Sequence, residues 1–139
     1  ATWVDPSGRR WLRTGDIGRL DHEGFVYIVD RKKDMILSGS QNIYPADIEA
    51  VMRDHPAVAD VAVVGVPSER WGETPLALVV AAGAGDTPDT GSLVEWTNQR
   101  VGRQQRLAGA IFVTDLPRTA TGKIQKFVLR GGQAAIARQ

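Results

Sequence analysis

The stretch PADIEAVMRDHPAVADVAVVGVPSERWGETPLALVVAA, residues 45–82, decides the fold. It opens with Pro45, which is favoured in the first turn of a helix because its missing N–H would have no partner there. Apolar residues recur at helical spacing as far as the His-Pro pair at 55–56, which predicts a helix. Two apolar, β-branched runs follow at 58–66 and 75–82, and both predict strands. One helix and two strands, joined by a polar loop, therefore form the centre of the predicted domain.

Shorter elements surround this centre, and turn sequences of the form Asp-x-x-Gly at 5–8 and 21–24 mark a turn-rich amino-terminal segment. The other predicted elements are strands at 11–13, 25–29, 35–37 and 111–113, a helix at 93–101, and a final helix from 124 to 129 that could continue to 137. Strands and helices alternate irregularly, and several strands form short antiparallel-looking pairs. This pattern favours an α+β fold over a doubly wound sheet. We predict a small mixed or antiparallel sheet flanked by about three helices.

The composition excludes several classes of protein. A net charge of +1 gives no concentrated basic face of the kind that nucleic-acid binding uses. The absence of cysteine excludes disulfides and thiolate metal sites, and the two histidines, His22 and His55, are not at metal-ligand spacing, so no metal site is predicted. No apolar run reaches the roughly 18 residues of a membrane span, and no signal peptide is visible. We therefore expect a globular domain in the cytoplasm.

Composition and spacing alone assign no chemistry. The segment RTATGK at 118–123 lacks the upstream glycine and the following Ser or Thr of a phosphate-binding loop, and the glycines at 83–85 lack the third glycine of a dinucleotide fingerprint. Both motifs are rejected. The structural interpretations of the remaining candidates are an Asx turn or helix cap for Asp16, an exposed surface lysine for Lys123, and packing over a satellite core for Trp71.

Four segments, taken in order, resemble motifs of the adenylate-forming superfamily, which comprises acyl-CoA synthetases, firefly luciferase and the adenylation domains of peptide synthetases. They are RTGD at 13–16, DRKKDMILSGSQNIYPADIE at 30–49, RWG at 70–72 and LPRTATGKIQK at 116–126. The match extends over nearly the whole chain and keeps the order and spacing of the family. One motif would be a weak signal, whereas four in register are a strong one.

The resemblance implies a two-step reaction. ATP and a carboxylate give an acyl-adenylate and pyrophosphate, and the CoA thiol then displaces AMP. It also implies that residues 1–32, with a short β-hairpin, are the last strands of a large amino-terminal domain, and that 33–139 form a small mobile domain with a hinge near Lys33. The acyl pocket, the phosphate loop and most of the site for ATP with Mg²⁺ belong to the large domain. We therefore expect the chain to be a fragment that is inactive alone.

The resemblance also gives roles to three charged residues. Asp16 matches the carboxylate that accepts hydrogen bonds from both ribose hydroxyls of ATP or AMP. Arg31 matches an arginine that reaches the ribose or a phosphate, where a fixed cationic fork is useful. Lys123 matches the catalytic lysine that contacts the carboxylate and an α-phosphate oxygen during adenylation, where its ammonium would stabilise the developing charge.

A second group of residues matches the CoA site of the family. Trp71 and Arg106 fall where relatives contact the CoA nucleotide, and an indole suits adenine stacking while a guanidinium suits the 3′-phosphate. Gly39 and Ser40 match a pair of glycines that line the pantetheine tunnel, so the serine implies a tighter tunnel here. Residues 104–107 depart from the aromatic-Lys-x-Pro pattern that many relatives have.

The motifs LPRTATGKIQK and SGSQNIYP are more similar to fatty or aryl acyl-CoA synthetases than to peptide-synthetase domains, which favours a fatty or aryl acid–CoA ligase. Two alternatives stay open: an adenylation domain that loads a carrier protein, and a non-catalytic module that binds a nucleotide or CoA. Lys123 argues against the second, because binding alone needs no lysine at the reaction centre. The expected partners are the missing amino-terminal domain of the same chain, a carboxylic acid, ATP and CoA.

Overall fold

The computed structural model describes residues 1–83, 85 and 87–136, with side chains described as far as residue 131. The chain divides into two compact units, residues 1–33 and 34–139. Short antiparallel hairpins make up the first unit, and the described part of the second contains a mixed sheet with three helices. The predicted α+β fold is confirmed. No helix among the described residues has the length and apolar character needed to cross a membrane.

The first unit consists of two hairpins where the sequence predicts one. Its strands are β1 (Thr2–Val4), β2 (Arg10–Leu12), β3 (Asp16–Leu20) and β4 (Val26–Arg31), and antiparallel pairing joins β1 to β2 and β3 to β4. The prediction of only one strand before residue 24 is therefore wrong, since three lie there. The strands β1 and β3 escape prediction because they are short and mix polar with apolar residues without a buried face.

The two Asp-x-x-Gly turns close these hairpins through their aspartate side chains. The Asp5 carboxylate accepts hydrogen bonds from the Ser7 hydroxyl at 2.6 Å and from the Trp11 indole N–H at 2.9 Å. These bonds favour the charged form and lower the pKa of Asp5 to about 2, with the Ser7 hydroxyl as the largest cause. In the second hairpin the backbone N–H of Phe25 donates to Asp21 at 3.0 Å and is the main reason why the pKa of Asp21 is also lowered.

The second unit is built on one long hairpin. Its strands are β5 (Ile36–Ser38), β6 (Gln41–Ile43), β7 (Val58–Ser68), β8 (Gly72–Ala81) and β9 (Gly109–Phe112), and its helices are α1 (Pro45–Arg53), α2 (Thr90–Asn98) and α3 (Lys126–Ile136). Antiparallel pairing joins β7 to β8 along their length, and β9 lies parallel to β8 on its other side. The smaller β5–β6 hairpin meets β8 where Ser38 pairs with Gly72.

Both faces of the β7–β8 hairpin are buried, which explains the unbroken apolar runs of the sequence. Alternate residues of a strand point to opposite faces, and on β7 Val61 and Val63 belong to one core while Ala62 and Val64 belong to another. The first core is completed by residues of α1, α2 and the β5–β6 hairpin, including Ile36, Ile43, Ile48, Met52 and Leu93. The second is completed by Leu78, Leu116 and Leu129, the last of which lies on α3.

The structure moves several predicted boundaries. The polar loop predicted at 67–74 is a tight turn, because β7 continues to Ser68 and β8 begins at Gly72. The helix predicted at 93–101 begins at Thr90, where the side chain of the preceding Asp89 caps the backbone N–H of Ser92 at 2.9 Å. The final helix begins at Lys126 rather than 124, and position 137 lies outside the described residues.

Candidate functional site

The two residues matched to the ribose site face each other across the second hairpin. Asp16 and Arg31 are cross-strand partners of β3 and β4, and the Arg31 Nε lies 3.2 Å from the Asp16 Oδ1. Gly15 precedes them with φ of +79°, a conformation that favours glycine, and its carbonyl accepts from the Lys32 N–H at 2.8 Å. Exposed ion pairs add little stability, so this pair acts chiefly to place a carboxylate and a guanidinium side by side.

Lys123 ends a compact loop between β9 and α3. The Thr119 N–H donates to the Lys123 carbonyl at 2.8 Å, and the Lys123 N–H donates to the Thr119 hydroxyl oxygen at 3.2 Å. Gly122 turns the chain with φ of +86°, and its N–H donates to the Thr119 carbonyl at 2.9 Å. These bonds close the loop on itself, while Lys123 stays exposed to solvent.

A groove of about 520 Å³ lies beside the turn between β7 and β8. It is lined by Ser38, Gln41, Arg70, Trp71, Thr74, Pro75, Arg103, Gln104 and Arg106. Three of these residues are arginines, so a half-exposed indole shares the groove with three positive charges. The structure thus brings together Trp71 and Arg106. Arg70 and Arg103 were missed as site residues, although the Arg-x-x-Arg spacing of 103 and 106 was a usable signal.

The position of Trp71 is fixed from several directions. Its N–H donates to the Ser68 hydroxyl oxygen at 3.2 Å, and its carbonyl accepts from the Gly39 N–H at 2.7 Å. Gly39 has φ of +60°, and a Cβ added there would meet the indole ring at 3.4 Å. The guanidinium of Arg70 lies 4.6 Å from the ring centroid, in a cation–π contact. One part of the indole is therefore already occupied, and a stacking ligand would use the remaining exposed surface.

The two remaining predicted site residues are Ser40 and Lys33. Ser40 is exposed in the turn between β5 and β6, and it does not line the groove that contains Trp71. Lys33 lies in the 3₁₀ turn Lys32–Asp34 and is the last residue of the first unit. Within the described residues, no group of three or more His, Asp or Glu side chains is placed to hold a metal ion, and we assign no Mg²⁺ ligand to this chain.

A buried ion pair beside the Lys123 loop was also missed. The Lys126 ammonium lies 2.5 Å from the Glu49 Oε1, and the two side chains are only 10% and 9% exposed. The same carboxylate oxygen accepts from the Val63 N–H on β7 at 2.9 Å. This contact holds the first residue of α3, three positions after Lys123, against α1 and the sheet. Both residues stand in the quoted motifs, but 77 positions separate them, and spacing alone gave no reason to pair them.

Comparison with known proteins identifies the family. The model of the AMP-binding enzyme C-terminal domain matches residues 47–123, which is more than half of the chain. This chain therefore belongs to the family of AMP-binding enzyme C-terminal domains. The matched range contains most of α1, the long hairpin and the loop up to Lys123. It also contains the groove residues from Arg70 to Arg106, but not Ser38 and Gln41.

The relatives are acid–CoA ligases. The chain is 48% identical over 136 residues to a long-chain-fatty-acid–CoA ligase of Mycobacterium tuberculosis, covering 92% of this chain and 26% of the relative. It is 46% identical over 116 residues to an indoleacetate–CoA ligase of Aromatoleum aromaticum, covering 84% and 22%. Its structure matches o-succinylbenzoate CoA synthetase from Bacillus subtilis, in complex with the acyl-adenylate intermediate OSB-AMP, with a TM-score of 0.77 and 39% identity over 86% of this chain and 24% of that one. The chain spans about a quarter of the length of these relatives.

Proposed function

We propose that this chain is the carboxy-terminal part of an AMP-forming acid–CoA ligase that adenylates a carboxylic acid and then transfers the acyl group to CoA. The observation that carries the proposal is the groove in which Trp71 stands among Arg70, Arg103 and Arg106. An aromatic face and several guanidinium groups suit an adenine ring with attached phosphates. CoA carries such a nucleotide, whereas an enzyme that loads a carrier protein would have less use for this groove.

Adenylation is the first step, and Lys123 is its proposed catalytic residue. A carboxylate oxygen attacks the α-phosphorus of ATP, the bond to pyrophosphate breaks, and negative charge builds on the phosphate oxygens. An ammonium held at those oxygens stabilises the charge as it develops. The internally bonded loop supports this role because it presents Lys123 with little freedom to lose on binding. In the same step Asp16 would accept from the ribose hydroxyls, and Arg31 would hold its carboxylate in place.

Acyl transfer is the second step, and the groove is its proposed nucleotide site. The CoA thiol attacks the acyl carbonyl, and AMP leaves with the electrons of the broken anhydride bond. Trp71 would stack on the adenine while Arg106 binds the 3′-phosphate. Gly39 supports this assignment, because its close approach fixes the indole. Ser40 stays a proposed contact for the pantetheine arm, from the turn between β5 and β6.

Two further parts of the proposal concern the rest of the enzyme. The first unit exposes many large apolar side chains, among them Trp11, Leu20, Val26 and Ile28, as a surface that packs against another domain would. We propose that residues 1–32 complete a large amino-terminal domain, and that residues 33–139 turn about a hinge at Lys33 between the two steps. The chain alone would then be inactive, because the acyl pocket and the phosphate loop lie in that domain.

We propose a fatty or aryl acid as the substrate, and the relatives named above act on acids of both kinds. A carrier-loading adenylation domain and a non-catalytic binding module are the competing functions. They differ in what the full-length enzyme releases. A CoA ligase releases AMP steadily only when CoA is supplied, a carrier-loading domain adenylates but does not form acyl-CoA, and a binding module does neither.

The test is a panel of fatty and aryl acids on the full-length enzyme, with AMP release measured with and without CoA, together with the variant Lys123→Ala. We expect Lys123→Ala to slow adenylation about 10²- to 10³-fold, as when one preorganised transition-state donor is removed. Transfer to CoA from a supplied acyl-adenylate should keep its rate, since the lysine acts in the first step only. Equal losses in both half-reactions would contradict the catalytic role of Lys123.

A further inference from the structure

Arg118 connects the Lys123 loop to the central hairpin. Its Nη1 donates to the carbonyl oxygen of Gly122 at 2.8 Å, and Gly122 is the residue directly before Lys123. Its Nη2 forms an ion pair with the carboxylate of Asp60 on β7. One guanidinium therefore contacts both the backbone of the loop and the strand. Neither Arg118 nor Asp60 was among the residues that the sequence marked as functional.

Burial holds the two ends of the loop, at Leu116 and Ile124, but residues 118–123 themselves are all exposed. The hydrogen bonds between Thr119 and residues 122 and 123 close the loop on itself but do not join it to the sheet. The bridge from Arg118 to Ile124 brings the two ends of the loop together. The ion pair with Asp60 then joins the exposed loop itself to the sheet, in addition to the pair of Lys126 with Glu49 three residues after Lys123.

We infer that Arg118 is a positioning residue that holds the loop backbone in the orientation that Lys123 needs for adenylation. This inference rests on the proposed role of Lys123 in that step. The planar guanidinium has donors at fixed angles and can satisfy a carbonyl and a carboxylate at once. A lysine at 118 would keep the charge opposite Asp60 but not the rigid fork. The ion pair is partly exposed, with side-chain exposures of 41% and 27%, so its removal should cost little stability. An effect of Arg118 on the position of Lys123 can therefore be measured separately from an effect on folding.

The experiment uses the full-length enzyme and four variants: Arg118→Gln, Arg118→Lys, Lys123→Ala and the double variant Arg118→Gln/Lys123→Ala. Arg100→Gln is the matched control, because Arg100 also donates from Nη1 to a backbone carbonyl, that of Trp96, at 2.8 Å. Adenylation is followed by pyrophosphate exchange, acyl transfer by thioester formation from supplied acyl-adenylate, and stability by thermal melting.

We expect Arg118→Gln to lower the kcat of adenylation about 10- to 100-fold, the scale of a misplaced catalytic group. Arg118→Lys should lose less, acyl transfer and melting temperature should stay near those of the unchanged enzyme, and Arg100→Gln should behave like that enzyme. In the Lys123→Ala background, Arg118→Gln should have no further effect, because its target is already absent.

The outcomes separate this inference from the proposed function. If Lys123→Ala itself leaves adenylation unchanged, the proposed role of Lys123 is wrong. If Lys123→Ala slows adenylation but Arg118→Gln does not, the inference alone is overturned. It is also overturned if Arg118→Gln slows adenylation to the same degree in the Lys123→Ala background, because Arg118 would then act independently of Lys123. A joint fall of adenylation, acyl transfer and melting temperature would overturn it as well, because it would indicate a structural role.

Discussion

Replacing Lys126 by methionine tests the buried ion pair with Glu49. Methionine keeps most of the side-chain volume but leaves the Glu49 carboxylate, 9% exposed, without its ammonium partner at 2.5 Å. Breaking a buried pair on one side costs about 3–5 kcal/mol. We expect the lower end, about 3 kcal/mol, because the Val63 N–H still donates to Glu49 and the half-exposed Arg53 guanidinium lies 4.0 Å away. At about 4 °C per kcal/mol for a chain of 139 residues, the melting temperature should fall by about 12 °C.

The assay is urea denaturation of the 139-residue chain, followed by circular dichroism, with unfolding free energies compared at an unchanged slope. Glu49→Gln is the matched partner, because glutamine still accepts from the Val63 N–H but carries no charge. The double variant Glu49→Gln/Lys126→Met removes both charges and should recover most of the stability that either single variant loses. A loss below about 1 kcal/mol for Lys126→Met, as for an exposed pair, or a double variant no better than the single ones, would refute this reasoning.

Three further predictions concern the hinge, the groove and the first hairpin. In the full-length enzyme, Lys33→Pro fixes φ near −65°, so adenylation should survive while acyl transfer is lost. Lys33→Ala should change both rates little. If the proline variant keeps both half-reactions, the hinge lies at another residue. Trp71→Ala should raise the KM for CoA about 5- to 100-fold with little change in melting temperature, and a loss of stability with unchanged CoA kinetics would contradict its role. Arg106→Ala should weaken the binding of CoA more than that of dephospho-CoA, and equal losses for both thiols would contradict its role. The pKa of Asp5 lies below its usual 3.8, so the stabilisation that it gives the hairpin is present above about pH 4 and lost as the pH falls through about 2. An NMR titration of the Trp11 indole N–H should therefore show a midpoint near 2, and one near 3.8 would count against the hydrogen bonds to Asp5.

The centre of the fold could be predicted because its physical signal is local. The strands β7 and β8 are continuous apolar runs, and such runs arise when both faces of a strand are covered. Pro45 and the apolar spacing after it predicted α1 to within a few residues. The groove was predictable only in part, since the resemblance supplied Trp71 and Arg106 but not the other two arginines.

The remaining features depend on contacts that are distant in the sequence. The parallel pairing of β9 with β8 joins Ile111 to Leu78, and no local pattern states which edge of the hairpin the strand will take. The ion pair of Glu49 with Lys126 was equally unpredictable, because the sequence around each residue indicates only an ordinary surface charge. The strand β3 is exposed along nearly all of its length, so it lacks the alternation of apolar and polar residues by which strands are recognised.

The two hairpins of the first unit have a consequence for the behaviour of this chain in solution. Within the described residues, each forms a two-stranded sheet, so that every one of its strands has an edge with which no other described strand pairs. Exposed edges combined with exposed apolar side chains such as Trp3, Leu20 and Ile28 promote pairing between molecules. The 139-residue chain should therefore self-associate as its concentration rises, and a chain shortened to residues 34–139 should stay monomeric over a wider range.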